Sequence, residues 1–502
     1  MHPNPQTVAE LFVDSDRFVG PDRSKGQILV QILFLTVIAT AAIAALVSMG
    51  ISTLGTSRHG YYSEQAFQIA EAGIEYYRWH LAHAPQDFQD GTGRDGPYYH
   101  SYQDKDGVVI GGFMLEITPP PTGSTLVTIL ATATTTADPA VKRKVRVQLA
   151  IPSLAKYAAV ANDFMRFGPG TEVFGPMHFN AGVRFDGTAH NVITSAVSNF
   201  NDPDHSGANE FGVHTHRNPP PGTGVNDSFR PLEAPPNGVQ NRIDVFLAGR
   251  QFPAPALDFT GFTADLAQIK ADAITAGRYF AGSSGKGYHV VLRTNDVFDL
   301  YRVTKTTSPP SNCTNYLNQS GWGTWTIQNE TYMGNYPFPS NGLIFFEDHV
   351  WVDGTINTAR LTIASGRFPE SPATTSSITV NNDILYTNYD GSDVLSLIAQ
   401  NNINIGWASD TDLRVDAALV AKNGRVGRYY YRPYYCNPNV YKNAITSYGM
   451  IATYQRYGFA YTDGTGYNLR TIIYDANLLY GPPPSFPLTS DQYETISWEE
   501  VR

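Results

Sequence analysis

Cysteine and charge are the two things this 502-residue chain has least of. Only Cys313 and Cys436 occur, which rules out a disulfide scaffold. In an oxidising compartment the pair can close one long loop, worth about 2 to 5 kcal/mol; otherwise they are two buried thiols, and sequence leaves both open. Charged residues make up 16% and the formal net charge is −10, so no basic surface for nucleic acid is expected. No GxSxG elbow, P-loop or HExxH pair occurs, and the GTG and DGTG pieces read as turns. A catalytic set would have to come from Asp412, Asp416, Lys422, Arg425 and Arg428. Nothing in their spacing orders them for acid/base hydrolysis or β-elimination, so the expectation is a protein that is not an enzyme.

What is abundant points elsewhere. Aromatics reach 12%, with 30 Tyr and 26 Phe beside 44 Gly and 33 Pro, the profile of a β-rich extracellular protein with many turns. One stretch departs from it: residues 27 to 57 contain no charge at all. As a helix at about 1.5 Å per residue they reach roughly 46 Å, more than the ~30 Å hydrocarbon core of a bilayer. The run is too long and starts too late for a secretory signal core. Arg17, Arg23 and Lys25 precede it and Arg58 is the first cation after it, so a single-pass anchor with a cytoplasmic N-terminus is expected. In "SEQAFQIAEAGIEYYRWHLAHAP" the positions Ala66, Ile69, Ala70, Gly73, Ile74, Tyr77 and Leu81 recur at helical spacing until Pro85. The membrane helix therefore continues outward as an amphipathic one, and Gly50, Gly55 and Gly60 predict a bend or an unwound piece between the two parts.

"RSKG" before the apolar run, and "AEAG" within "AFQIAEAGIE", resemble the N-terminus of type IV prepilins of the PilX-like minor pilin and pseudopilin kind. The resemblance implies a leader of residues 1–26, cut by a prepilin peptidase at Lys25, Gly26 and Gln27, with Gln27 as the mature end. It also implies the cytoplasmic membrane and then the extracellular filament as locations, and other pilin subunits as partners. Major pilins carry a glutamate at the fifth mature position, where this chain has Gln31. Glutamine can hydrogen-bond but cannot neutralise a neighbour's terminal ammonium, which implies a minor or tip subunit.

The expected fold is α+β. A long pilin-like helix (27–84) precedes a small antiparallel sheet (85–153) with strands over 111–119, 124–134 and 141–151, where Val141, Arg143, Val145 and Val147 alternate with polar positions. Residues 154–502 form a large mainly-β distal domain of short apolar-alternating segments with polar corners, the pattern of a parallel β-solenoid. A helical insertion near 262–280 puts Leu266, Ile269, Ala273 and Ile274 on one face, and 287–303 reads as two strands around an Asn295-Asp296 turn. "GPPPSFP" is expected to stop the last coil and lead a tail across its end.

Three clusters are candidates for binding. "DPDHSG" offers Asp202, Asp204 and Ser206 as a calcium loop, although Val213 stands where a bidentate glutamate belongs. "HTH" places His214 and His216 on one side of a strand, a zinc-ligating geometry. "RYYYRPYY" (Arg428, Tyr429, Tyr430, Tyr431, Arg432, Tyr434, Tyr435) forms an aromatic, arginine-flanked patch for surface glycans or proteins. No cofactor is expected, calcium being the one candidate. The function expected is a non-enzymatic minor pilin or pseudopilin presenting its distal domain near a filament tip for assembly or adhesion. The alternative is a membrane-anchored β-solenoid that binds or degrades surface polysaccharide.

Overall fold

One α-helix, Ser24–His83, opens the computed structural model, which describes residues 24–121, 124–259, 266–456, 458–488 and 492–501. The first 23 residues of the expected leader lie outside the described residues. The helix runs unbroken through Gly50, Gly55 and Gly60, against the expected unwound piece. A lone glycine every five residues costs about 1 kcal/mol each, too little to open a helix with good formers on either side. Every residue from Ile28 to Tyr61 is exposed, whereas Ala66, Ile69, Ala70, Gly73, Ile74, Tyr77 and Leu81 are all buried. The helix stops at His83, two residues before Pro85, as that proline requires.

Contacts divide the chain into two compact units, Met1–Ala70 with His100–Phe113 and Thr132–Arg143, and Glu71–Tyr99 with Met114–Ala131 and Lys144–Arg502. In the first, Arg143 donates to Ser63 Oγ at 2.7 Å, and a Cβ on Gly111 would lie 2.6 Å from Ile69 Cδ1 and 2.4 Å from the Thr134 carbonyl oxygen. Only glycine permits that approach. In the second, the Tyr77 hydroxyl donates to the Asp87 carbonyl at 3.0 Å and His80 meets the Asp87 carboxylate at 3.1 Å, closing the helix end onto the following loop.

The small sheet has five strands in the order Tyr98–Gln103, Val109–Thr118, Val127–Thr135, Lys142–Ala150 and Glu494–Val501. Three of these were expected; Tyr98–Gln103 and Glu494–Val501 were not, and the latter pairs antiparallel with Lys142–Ala150 from Glu494↔Ala150 to Val501↔Lys144. The tail before it also differs from expectation. Arg360 donates to the Gly481 and Pro482 carbonyls at 2.8 and 2.7 Å, so "GPPPSFP" crosses the flank of the large β domain rather than its end.

That β domain is built from parallel ladders. In one, Arg278–Phe280, Leu343–Phe346, Arg360–Ser365 and Val394–Ala399 pair in turn, followed by the ends of Asp412–Ala421 and Tyr441–Thr453. The ladder then continues with Ala159–Ala161, Met177–Phe179, Ile193–Ser195 and Arg250–Gln251. The chain therefore starts in the middle of the stack, builds outward to Gln251, returns to the far end and builds back until Ile451 meets Ala159. Ile344, Phe346, Ile363, Leu397, Leu419 and Ile451 point into one core. Their neighbours Leu343, Phe345, Ala364 and Ile398 point the other way, under the helix Leu266–Ala276. Strands covered on both faces need apolar residues at every position, hence the "LIFF" run.

Residues 262–265 of the expected helical insertion lie outside the described residues. Leu266, Ile269 and Ala273 are buried, but Ile274 is 57% exposed, because at 100° per residue it lies some 80° around the axis from Leu266. The hairpin forms between Gly287–Leu292 and Val297–Thr306, with Asp296 at φ 61°, and gains a third antiparallel strand, Ile327–Pro337.

Candidate functional site

Among the described residues, the N-terminal half of the long helix exposes a continuous run of apolar side chains, with Leu29 72% and Leu46 69% exposed. Ile28–His83 is long and apolar enough to cross a membrane, with a mean hydropathy of 2.5 over its most apolar window. Lys25, Gly26, Gln27 and Gln31 all fall inside the helix as its first turns. Water does not stabilise such a surface; lipid or other apolar helices do.

The arginine and tyrosine run is divided by the fold. Arg428, Tyr429 and Tyr431 are buried, so the run is not one surface patch. Arg428 donates to Ser409 Oγ at 3.1 Å and the Trp407 carbonyl at 2.9 Å, and the Tyr431 hydroxyl to the Gly323 carbonyl at 2.7 Å. These rings surround the Cys313–Cys436 disulfide, which closes a separation of 123 residues beside Trp407 and Val440. Arg432 stacks over Tyr316 and Tyr435, and Tyr434 is 83% exposed, so the outward part of the run is Tyr434 and Tyr435 with that guanidinium. Arginine and tyrosine fill the core here because both terminal nitrogens of Arg428 and the Tyr429 and Tyr431 hydroxyls reach backbone carbonyls, which composition alone does not reveal.

The five acid/base candidates each have their own structural partners. Asp416 is fully buried and accepts from Tyr389 OH at 2.7 Å, Arg414 Nε at 2.8 Å and the Tyr386 N–H at 3.1 Å. Asp412 accepts from Asn443, Lys422 pairs with Glu370 at 2.7 Å, and Arg425 lies 4.5 Å over the Tyr429 ring. A cleft of about 700 Å³ is lined by Arg166, Arg456 and Arg470 from distant parts of the chain. The guanidiniums of these three are taken up by Asp204, Asp227 and backbone carbonyls.

The calcium-loop and "HTH" candidates converge in part. Asp202, His214 and His216 come together with Glu210, all four buried, with one ligand atom of each within 4.8 Å of the others. His214 Nε2 lies 3.3 Å and His216 Nε2 3.0 Å from Glu210 Oε2, and His214 Nε2 3.6 Å from Asp202 Oδ2. His205 joins at 3.0 Å from the same Glu210 oxygen. Asp204 and Ser206 turn away: Asp204 pairs with Arg456 at 2.8 Å and Arg166 at 3.2 Å, and Ser206 is exposed. Val213, at the twelfth position of the supposed loop, is core. Glu210 was not singled out by sequence, since it sits in a two-residue strand, Glu210–Phe211, where no motif spacing marks it.

No protein-family model matches the chain, and no curated protein does. Among solved structures, the competence-associated pilin ComZ from Thermus thermophilus is similar at 13% identity and a TM-score of 0.30, over 88% of this chain and 98% of that one. A TM-score this low assigns neither fold nor role.

Proposed function

We propose that the chain is a PilX-like minor pilin or pseudopilin, cut after Gly26 and held first in the cytoplasmic membrane and then among the helices of a filament. The observation that carries this reading is the change of character along one continuous helix. Its residues from Ile28 to Tyr61 are exposed and mostly apolar, while its apolar positions from Ala66 to Leu81 are buried. The N-terminal half serves both stages, since lipid and neighbouring apolar helices satisfy the same surface. Gln31 favours a minor or tip position. The parallel ladders are the coils of a β-solenoid, because hairpin-built sandwiches pair antiparallel. The solenoid is displayed outside the cell.

The test is processing by a prepilin peptidase in membranes. Gly26→Leu blocks maturation on this reading; a variant that matures like wild type contradicts it and leaves a plain anchor carrying a solenoid.

A further inference from the structure

Five histidines lie between residues 178 and 216, and the fold sorts them into two kinds. His178 is used by Thr194 and Asn180, and His190 pairs with Glu172 and stacks on Phe174. His205, His214 and His216 instead gather around Glu210.

Backbone carbonyls set the tautomer of two of them. His214 Nδ1 lies 2.9 Å from the Phe211 carbonyl oxygen, and His216 Nδ1 2.8 Å from that of Asn226. A carbonyl only accepts, so each Nδ1 carries a hydrogen and each neutral ring keeps its lone pair on Nε2. Both lone pairs face carboxylate oxygens. Histidines bound to a metal have this arrangement, with the outer nitrogen donating to a carbonyl and the inner one free to coordinate.

A proton on each inner nitrogen does not satisfy the cluster. His214 Nε2 and Asp202 Oδ2 are both buried and neither makes a hydrogen bond, although they lie 3.6 Å apart. A cation touching both satisfies both. The charge agrees among the buried groups: the carboxylates Asp186, Asp202 and Glu210 are accompanied by one buried guanidinium, Arg184, which bonds Asp186 at 2.8 Å, lies 3.7 Å from Asp202 Oδ2 and also pairs with the exposed Asp227. With neutral histidines two negative charges remain, matching one divalent ion. Four ligands at ~2.0 to 2.1 Å around tetrahedral zinc lie ~3.3 Å apart, and the His214–Glu210, His216–Glu210 and His214–Asp202 separations of 3.3, 3.0 and 3.6 Å come close to that, with all four atoms inside 4.8 Å.

We propose that Asp202 Oδ2, Glu210 Oε2, His214 Nε2 and His216 Nε2 form a closed structural site for one zinc ion. Two imidazoles and two carboxylates suit zinc better than calcium, which takes six to eight oxygens. All four ligands are protein groups in a buried place, so the ion does structural work. His205 positions Glu210, donating from Nε2 to its carboxylate. The ion joins the turn between Asn199–Phe200 and Glu210–Phe211 to the strand Val213–His214, which pairs with Val183–Phe185. A loop that presents little apolar surface is thereby fixed to the side of the domain.

The experiment uses the full chain in detergent, dialysed against zinc and then metal-free buffer, with bound metal measured by mass spectrometry. The wild type retains one zinc per chain, and chelation lowers its melting temperature and opens the 199–211 turn to protease until zinc is restored. His214→Gln with His216→Gln loses the zinc and the chelator response, while His190→Gln keeps both. Cobalt in place of zinc gives the intense visible absorption of a tetrahedral site, a readout on the wild type that no misfolded variant can obscure. A wild type that retains no zinc, or retains calcium in its place, or a double variant that still binds it, overturns the assignment.

Discussion

The Arg143 guanidinium bonds the Ser63 hydroxyl at 2.7 Å, tying a strand of the small sheet to the helix. The same guanidinium lies 5.1 Å over the Phe67 ring. Arg143→Ala is expected to cost about 1 to 2 kcal/mol through the lost charged hydrogen bond and cation–π contact. Arg143→Lys keeps the charge but loses the planar stacking, and falls between the two in thermal unfolding. Equal melting of all three proteins would show that the contact contributes nothing.

The disulfide is the second point of leverage. Reducing it, or Cys436→Ser, frees a 123-residue loop in the unfolded chain and is expected to lower stability by about 2 to 5 kcal/mol, read in denaturant titrations with and without reductant. Reductant that leaves the wild-type midpoint unchanged argues against the pairing.

His289 sits between Glu330 at 2.8 Å and Asp353 at 3.0 Å. Burial disfavours its charge, but the two carboxylates outweigh burial and raise its pKa to about 9. A raised histidine stabilises fully below its unfolded value near 6.5, and that contribution disappears as pH rises through about 9. Wild type is thus expected to lose stability between pH 7 and 9.5 relative to His289→Asn. Parallel profiles for the two proteins across that range would contradict the assignment.

The helix Leu266–Ala276 gives a paired test. Ile269→Ala, at a buried position, is expected to cost about 2 to 5 kcal/mol, and Ile274→Lys, on the exposed face, about 0.5 kcal/mol or less. Chemical denaturation of both separates them, and comparable losses would mean that both positions pack.

What could be read from sequence follows from how local each feature is. The buried stripe from Ala66 to Leu81 was legible because a 3.6-residue period survives in one helix. Ile274 was not, because apolarity places a residue near a face without saying how wide the contact is. Three strands of the small sheet announced themselves by alternation, but Tyr98–Gln103 and the returning Glu494–Val501 did not, the latter because its charged residues are exposed on an edge. The meeting of Ile451 with Ala159 left no trace, because parallel stacking joins segments without a shared turn. At the histidine cluster two half-motifs supplied Asp202, His214 and His216, while Glu210, the residue at its centre, had no pattern to mark it.

Leu46→Lys puts a charge in the middle of the exposed apolar half of the helix, at about 2.5 to 3.5 kcal/mol in a membrane. It is expected to keep the protein out of filaments while leaving the β domain folded by circular dichroism. Normal incorporation would mean that the apolar surface is not what assembles.

The most direct test of the whole account is N-terminal peptide mass spectrometry on the protein from membrane and sheared-filament fractions. A mature end at Gln27 is expected in both fractions. An intact leader, with the protein confined to membranes, would contradict it.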